Sequence, residues 1–363
     1  MKYPIVKPYL PCPVKYKQYI DDVFDRNWLT NNGPLVNLLE QRLAEHLGVK
    51  HLLLVANGTL ALQVAYAALD LKGHVLTTPF SFAATASSLC WQKLKPIFVD
   101  IDEQSLNFSS DNVSDADAEL ASALLAVHVF GNPCELEKIS TFATKHNLSV
   151  IYDAAHAFAS NFSQQSVLNF GDISTLSLHA TKLFHSVEGG AIIFKDEETY
   201  NRAKQMINFG FDADNYPEYV GINAKMSEVH AAMGLSVLDD IDYIIEKRKL
   251  LIVRYHELLS DCKKLTLQQW HQNSECSGAY MPVIFSSEAQ LLSVMELLHA
   301  KEVQTRRYFY PSLSQVEVYG QRGDTPIANA ISERILCLPL YTDLAITDVD
   351  YICNVLLEVM NNS

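Results

Sequence analysis

Short apolar runs and amphipathic stretches alternate along much of the chain. The runs "HLLLVA" (51–56), "HVLTTP" (74–79), "KPIFVD" (95–100), "ALLAVHVF" (123–130), "LSVIYD" (148–153), "ISTLSL" (173–178) and "GAIIF" (190–194) have the length of strands, and most end in small, polar or charged residues. Apolar positions at helical spacing mark "PLVNLLEQRLAEHL" (34–47), "TLALQVAYAALD" (59–70) and "ELEKISTFATKHN" (135–147). Strands that are apolar on both faces and separated by helices predict an α/β domain, its mostly parallel or mixed sheet covered on both sides.

Beyond about residue 235 the texture changes. The stretch "GLSVLDDIDYIIEKRKLLIVRYHELL" (234–259) keeps a helical period, broken once near its aspartates, and is long enough to carry the chain between domains. The expected division is a large domain over 1–245 and a small α+β domain over 246–363, with "GAYMPVIF" and "ERILCLPL" as strands and "AQLLSVMELLHAKEV" as a helix. A length of 363 residues agrees, since single cores stop growing near about 250–300 residues.

Composition, with 48% hydrophobic and 19% charged residues, is that of a globular protein. The formal net charge of −14 opposes attraction to nucleic acid or an anionic membrane, so neither is expected as a partner. Cys12, Cys90, Cys134, Cys262, Cys276, Cys337 and Cys353 are scattered and odd in number, which reads as thiols of a reducing compartment and not as a disulfide framework or zinc site. The opening "MKYPIVKPYLPCPVKY" has prolines and charges where a signal peptide needs an apolar stretch, and no later segment approaches 18 apolar residues in a row. A soluble cytoplasmic protein is expected.

In such a sheet, ligands gather at the carboxyl ends of the strands. After "HLLLVA" comes Asn57-Gly58-Thr59, either an ordinary helix-capping turn or a cradle whose amides receive a phosphate. Asp153, closing "LSVIYD", could cap a helix, ligate a metal with His156 or face a cationic ligand atom. Ser177 and Lys182 close the next run, where a lysine would ordinarily snorkel to solvent. A pyridoxal phosphate cofactor uses the whole set: a lysine for the Schiff base, a carboxylate for the ring nitrogen, amides and hydroxyls for the phosphate. His179 and His185 are spaced poorly for one helix face, and no metal is expected. No G-x-S-x-G elbow or P-loop is present.

The segments "ANGTLAL", "PFSFAAT", "HVFGNP", "YDAAHA", "SLHATK", "EGGAII" and "GINAKMSEVHAAMGL" resemble, in order, the motifs of the DegT/DnrJ/EryC1/StrS family of sugar aminotransferases, from about residue 25 to residue 240. The resemblance implies the aspartate aminotransferase-like fold type I of pyridoxal-phosphate enzymes: a large domain with a mostly parallel, mixed seven-stranded sheet, and a small C-terminal α+β domain. "WLTNNGP" (28–34), "YDAAHAF" and "HATKLF" are most similar to members that aminate C4 of dTDP-4-keto-6-deoxy-D-glucose with L-glutamate, for O-antigen or another surface polysaccharide. A C3 aminotransferase and a pyridoxal-phosphate sugar dehydratase are the competing activities. The dehydratases carry histidine at the lysine position, and Lys182 argues against them.

By the same resemblance, Lys182 is the Schiff-base lysine and proton carrier, Asp153 the acid at the ring nitrogen, and His156 a neighbour of the ring and its phenolic oxygen. Phe82 falls where an aromatic residue stacks on the ring, and Gly58, Thr59 and Ser177 fall on phosphate ligands. Asn223 matches a residue that reaches the phosphate of the neighbouring subunit, which implies a homodimer with shared active sites. Lys225 and Asn132 depart from the arginine and glutamine of many relatives, the first trading a fork for a point charge. For the substrate, the candidates are Trp28, Thr30 and Asn31 in "WLTNNGP", the loop "NFGFDADNY" (208–216), and His179. Tyr308 and Tyr310 suit either the substrate mouth or aromatic packing of the small domain, and His128 either the core or the sugar.

Overall fold

The apolar runs become a single sheet. In the computed structural model, which describes residues 1–275, 277–320 and 322–362, the strands in chain order are β1 (His51–Val55), β2 (His74–Thr77), β3 (Lys95–Phe98), β4 (Ala121–Val127), β5 (Ser149–Asp153), β6 (Asn161–Phe162), β7 (Gln165–Ser166), β8 (Ile173–Ser177), β9 (Gly190–Phe194), β10 (Leu265–Leu267), β11 (Ser274–Glu275), β12 (Pro282–Phe285) and β13 (Ile335–Cys337). Cys276 lies outside the described residues, and the other six cysteines are free thiols. All seven runs enter one seven-stranded sheet in the order β1-β9-β8-β5-β4-β2-β3. Only β9 is antiparallel to its neighbours, β1 and β8, so β1 points the same way as the other five. The carboxyl ends of six strands therefore open on one edge.

Both faces of the sheet are buried, as alternation along the strands requires. Leu52, Leu54, Leu124 and Ile193 pack into one helical layer, and Leu53, Val55, Leu125 and Ile192 into the other. Burying each such side chain contributes roughly 1.5–3 kcal/mol relative to exposure. The "WLTNNGP" segment feeds the helix Pro34–Leu47. That helix is capped from far along the chain: the buried Glu228 carboxylate accepts from the Leu35 and Val36 amides, both at 2.9 Å. Gly33 is required there, because a Cβ would come within 2.5 Å of Glu228 Cδ.

The long helical period breaks at its aspartates, giving the helices Glu228–Leu238 and Ile241–Leu259. Beyond them an antiparallel sheet, β10-β12-β13, builds a second core around Tyr255, Phe285, Leu291 and Leu356. The first residues join this core: Tyr3 is buried in it and exchanges backbone hydrogen bonds with Glu302 and Gln304. Among the described residues no helix is long and apolar enough to cross a membrane.

Arg248, on the helix Ile241–Leu259, is buried and donates to three carbonyls: Gly278 at 2.7 Å, Ala279 at 2.8 Å and Leu340 at 3.0 Å. Gly278 adopts φ +74°, and a Cβ there would meet Arg248 Cβ at 2.9 Å. This clamp fixes the backbone just before Tyr280. Arg248→Met leaves the three carbonyls unsatisfied and is expected to lower stability by about 3 kcal/mol or more, read from denaturant midpoints at unchanged m-value.

Candidate active site

One cavity of about 360 Å³ lies at the carboxyl edge of the large sheet, and residues from most of its strand ends line it. At its base β1 ends in the Asn57-Gly58-Thr59 turn. The Asn57 side chain caps the helix Gly58–Ala68 by accepting from the Leu60 amide at 2.9 Å, while the Gly58 and Thr59 amides have no acceptor within the helix. They sit at the positive end of the helix, beside the Ser177 hydroxyl at the end of β8. A Cβ on Gly58 would come to 3.0 Å from Ser177 Cβ, and one on Gly190 to 2.5 Å from the Asn57 carbonyl. The two glycines let these segments close on one another, so that amides and the Ser177 hydroxyl share one corner of the cavity. Gly58→Val is expected to weaken pyridoxal phosphate binding by roughly tenfold or more without unfolding the chain, measured by titrating the apoprotein and following absorbance.

Asp153 ends β5 and is buried. Its carboxylate accepts from the Thr85 hydroxyl at 2.9 Å and the Ala155 amide at 3.2 Å, and Ser81 and Thr85 hydroxyls are linked at 2.7 Å. Burial pushes the Asp153 carboxyl up from its ordinary value; the two hydrogen bonds and the Lys182 ammonium pull the other way. A cationic nitrogen facing it would reverse the burial effect.

Lys182 hangs on the loop between β8 and β9, its amide bonded to the His179 carbonyl at 2.9 Å. Its Nζ donates to the Tyr280 hydroxyl at 3.3 Å. Burial lowers its pKa to about 8; Asp153 and Tyr308 oppose the shift and the Arg306 guanidinium adds to it. His156 is stacked nearly parallel to Phe130 and Phe309, with Tyr280 tilted at 4.5 Å. Burial first, then Lys182, holds it well below the usual imidazole range. Its Nδ1 accepts from the Phe130 amide at 3.3 Å, which leaves the proton of the neutral ring on Nε2.

The structure thus gathers Gly58, Thr59, Phe82, Asp153, His156, Ser177, His179, Lys182 and Tyr308 around one cavity. The exposed Phe82 ring stands at its wall. Asn223 is exposed and is not among the lining residues. Trp28, Thr30 and Asn31 do not line the cavity of their own chain either, nor does the 208–216 loop; Trp28 turns its indole N–H onto the Thr30 carbonyl. Tyr310 is not among the lining residues; the Arg307 guanidinium lies over its ring at 3.5 Å. His128 belongs to the core: it is fully buried, lies 4.6 Å from Tyr152 in a stacked pair, and is absent from the lining. Asn132 is a buried brace between the Ser105 and Gln269 carbonyls.

Several lining residues have no counterpart among the candidates read from sequence: Ser81, Thr181, Glu188, Tyr280, Arg306 and Phe309. Thr85, behind Asp153, is another. Arg306 and Phe309 flank Tyr308 in the segment "RRYFYP" (306–311), whereas no local pattern around Tyr280 announces a site. Glu188 and Thr85 lie within motif segments, where the signal was present.

The parallel strand ends, the depressed lysine facing a buried carboxylate and the glycine-built cradle fit pyridoxal phosphate, and they define a fold type I enzyme of that class. The chain belongs to the DegT/DnrJ/EryC1/StrS aminotransferase family, whose model matches residues 14–357. It is 37% identical over 360 residues to the dTDP-4-amino-4,6-dideoxy-D-glucose transaminase of Shigella dysenteriae, covering 98% of both chains. It is 38% identical over 351 residues to the enzyme of the same name from Escherichia coli, covering 94% of both. Among solved structures, DesI in the presence of its TDP-sugar product superposes with a TM-score of 0.93 at 32% identity, over 99% of this chain and 93% of the other.

Proposed function

We propose that the protein transfers the amino group of L-glutamate to the C4 keto group of dTDP-4-keto-6-deoxy-D-glucose, giving dTDP-4-amino-4,6-dideoxy-D-glucose and 2-oxoglutarate. The observation that carries this reading is the convergence of Lys182, Asp153 and the Gly58-Thr59-Ser177 cradle on one cavity, in a chain alike over nearly its whole length to transaminases named for that product. When bound, pyridoxal phosphate supplies an electron-accepting ring that carries the amino group between the two substrates.

The chain's own residues divide the remaining work. The Gly58 and Thr59 amides and the Ser177 hydroxyl would hold the phosphate, Asp153 the ring nitrogen, Phe82 a ring face, and His156 Nε2–H the phenolic oxygen. Lys182 Nζ, oriented by the Tyr280 hydroxyl, takes up and returns the proton at the substrate carbon. Arg306 puts a positive charge in the cavity lining, which suits substrates that both carry anionic groups. At about 360 Å³ the cavity has room for the cofactor and a reacting sugar, with the nucleotide extending outward.

The active unit is a homodimer in which Asn223 reaches the partner's phosphate. In support, Asn223 is exposed, and apolar Leu29, Phe209 and Ile222 are exposed on segments hydrogen-bonded to residues 221–228 or among them, with exposed Val220 directly before. Trp28, Thr30 and Asn31 would then serve the neighbouring site. The proposed division is a large unit over 1–245 and a small unit over 246–363, with the first residues around Tyr3 lending their side chains to the small unit's core. The enzyme works in the cytoplasm, in keeping with its free thiols, and its product feeds a surface polysaccharide such as O-antigen. Incubation with pyridoxal phosphate, glutamate and the 4-keto sugar tests this: NMR of the product should place the new amine at C4. An amine at C3 of a 3-keto sugar, with the 4-keto sugar untouched, contradicts it.

A further inference from the structure

We infer that Glu188 reads the sugar hydroxyl next to the reacting carbonyl, the 3-hydroxyl of a 4-keto sugar, an inference that rests on the substrate proposed above. The evidence begins in the backbone. Val187 has φ +69° and is exposed, a conformation that costs a β-branched residue roughly 1–3 kcal/mol. The loop is locked there. The Ala180 amide donates to the Val187 carbonyl at 2.8 Å, the Val187 amide to His185 Nδ1 at 3.3 Å, and the Ser186 hydroxyl to the Glu188 carbonyl at 2.9 Å. Gly189 follows with no room for a side chain, since a Cβ would lie 2.2 Å from Ser186 Oγ. What this strained turn achieves is to put Glu188 in the wall of the cavity that Lys182 also lines.

The carboxylate placed there has capacity to spare. Among the described residues its one ionisable neighbour within 4 Å is His179, whose Nε2 is 3.7 Å from Glu188 Oε1, beyond hydrogen-bond length. His179 Nδ1 accepts from the Thr181 amide at 3.2 Å, so Nε2 carries the N–H and His179 stands beside the carboxylate as a second polar group. Among the described residues no group donates a hydrogen bond to the Glu188 side chain. Apart from the buried Asp153, Glu188 is the one acid among the described residues that line the cavity. A negative charge in that wall repels the diphosphate of a nucleotide. It welcomes hydroxyl donors, and near the carbon that Lys182 serves the donor at hand is the hydroxyl adjacent to the carbonyl. Holding that hydroxyl presents C4 to the lysine and disfavours an orientation that would present C3.

The test pairs a change in the enzyme with a change in the sugar. Wild type, Glu188→Gln and Glu188→Ala are compared on dTDP-4-keto-6-deoxy-D-glucose and on dTDP-4-keto-3,6-dideoxy-D-glucose, which lacks the hydroxyl. Wild type is expected to lose about 100-fold or more in kcat/KM on the deoxygenated sugar, and Glu188→Ala to treat the two sugars within about threefold of each other. Release of 2-oxoglutarate from glutamate by the holoenzyme, before any sugar is added, should stay within about twofold in both variants, because that step does not use the hydroxyl. Glu188→Ala that still discriminates as wild type does overturns the inference, as does an equal slowing of the glutamate step, which would make Glu188 structural. Wild type that releases 2-oxoglutarate yet aminates neither sugar overturns the substrate assignment and this role with it.

Discussion

Turnover of Lys182→Ala is expected to fall by about four orders of magnitude or more, because the variant loses both the covalent anchor and the group that moves the substrate proton. Among the described residues no other lysine lines the cavity to replace it. The variant should still fold: Lys182 is held by its backbone bond to His179, and among the described residues its side chain donates a single hydrogen bond, the 3.3 Å contact to Tyr280. The pH dependence of cofactor uptake by the wild-type apoprotein follows from the same side chain. A free amine is the nucleophile and an ammonium is not, so with the pKa lowered to about 8 the rate of covalent uptake should rise with pH and reach half its plateau near 8. An undisturbed lysine would put that midpoint near about 10.4. Stopped-flow absorbance across pH 6.5 to 9.5 separates the two.

The second large effect is Asp153→Asn, expected to lower kcat by roughly two to three orders of magnitude while leaving the apoprotein at least as stable. The two halves have one cause. Burial raises the Asp153 pKa above its unfolded value. A carboxyl raised in this way contributes stability that is present below the unfolded pKa and lost as pH rises through the folded one, so at neutral pH the bare charge is a burden on the apoprotein. Asparagine keeps the shape and an oxygen to accept from Thr85 and drops the charge; its amide nitrogen no longer accepts from the Ala155 N–H, a loss that removing the buried charge offsets. What it cannot do is hold a positive ring nitrogen. Melting curves of the two apoproteins, beside their kcat values, check both halves; a fall in kcat that tracks a fall in stability would make Asp153 a structural residue.

How far the sequence reached is clearest at particular residues. Each of the seven apolar runs is a strand of the large sheet, because a strand buried on both faces must be apolar throughout, and that is visible in one dimension. The reversed direction of β9 is not visible, since a five-residue apolar run reads alike both ways. Asp153 and Ser177 end strands, and Lys182 follows in the loop after one, so knowing that this edge carries the site locates them. Tyr280 and Arg306 come to the cavity from beyond the long helices, positioned by contacts such as the Arg248 clamp that no local spacing encodes. "WLTNNGP" does not line the cavity of its own chain, where its visible task is to start the helix capped by Glu228. Tyr310 missed the cavity for a similar reason, its ring being engaged by Arg307.

The most direct test of the central claim, that this edge of the sheet carries a pyridoxal-phosphate site built on Lys182, is reduction of the holoenzyme with borohydride followed by peptide mass spectrometry. The account predicts a phosphopyridoxyl group on Lys182, removed if glutamate is added before the reductant. Modification of a different lysine in an enzyme that still transfers amino groups would contradict it.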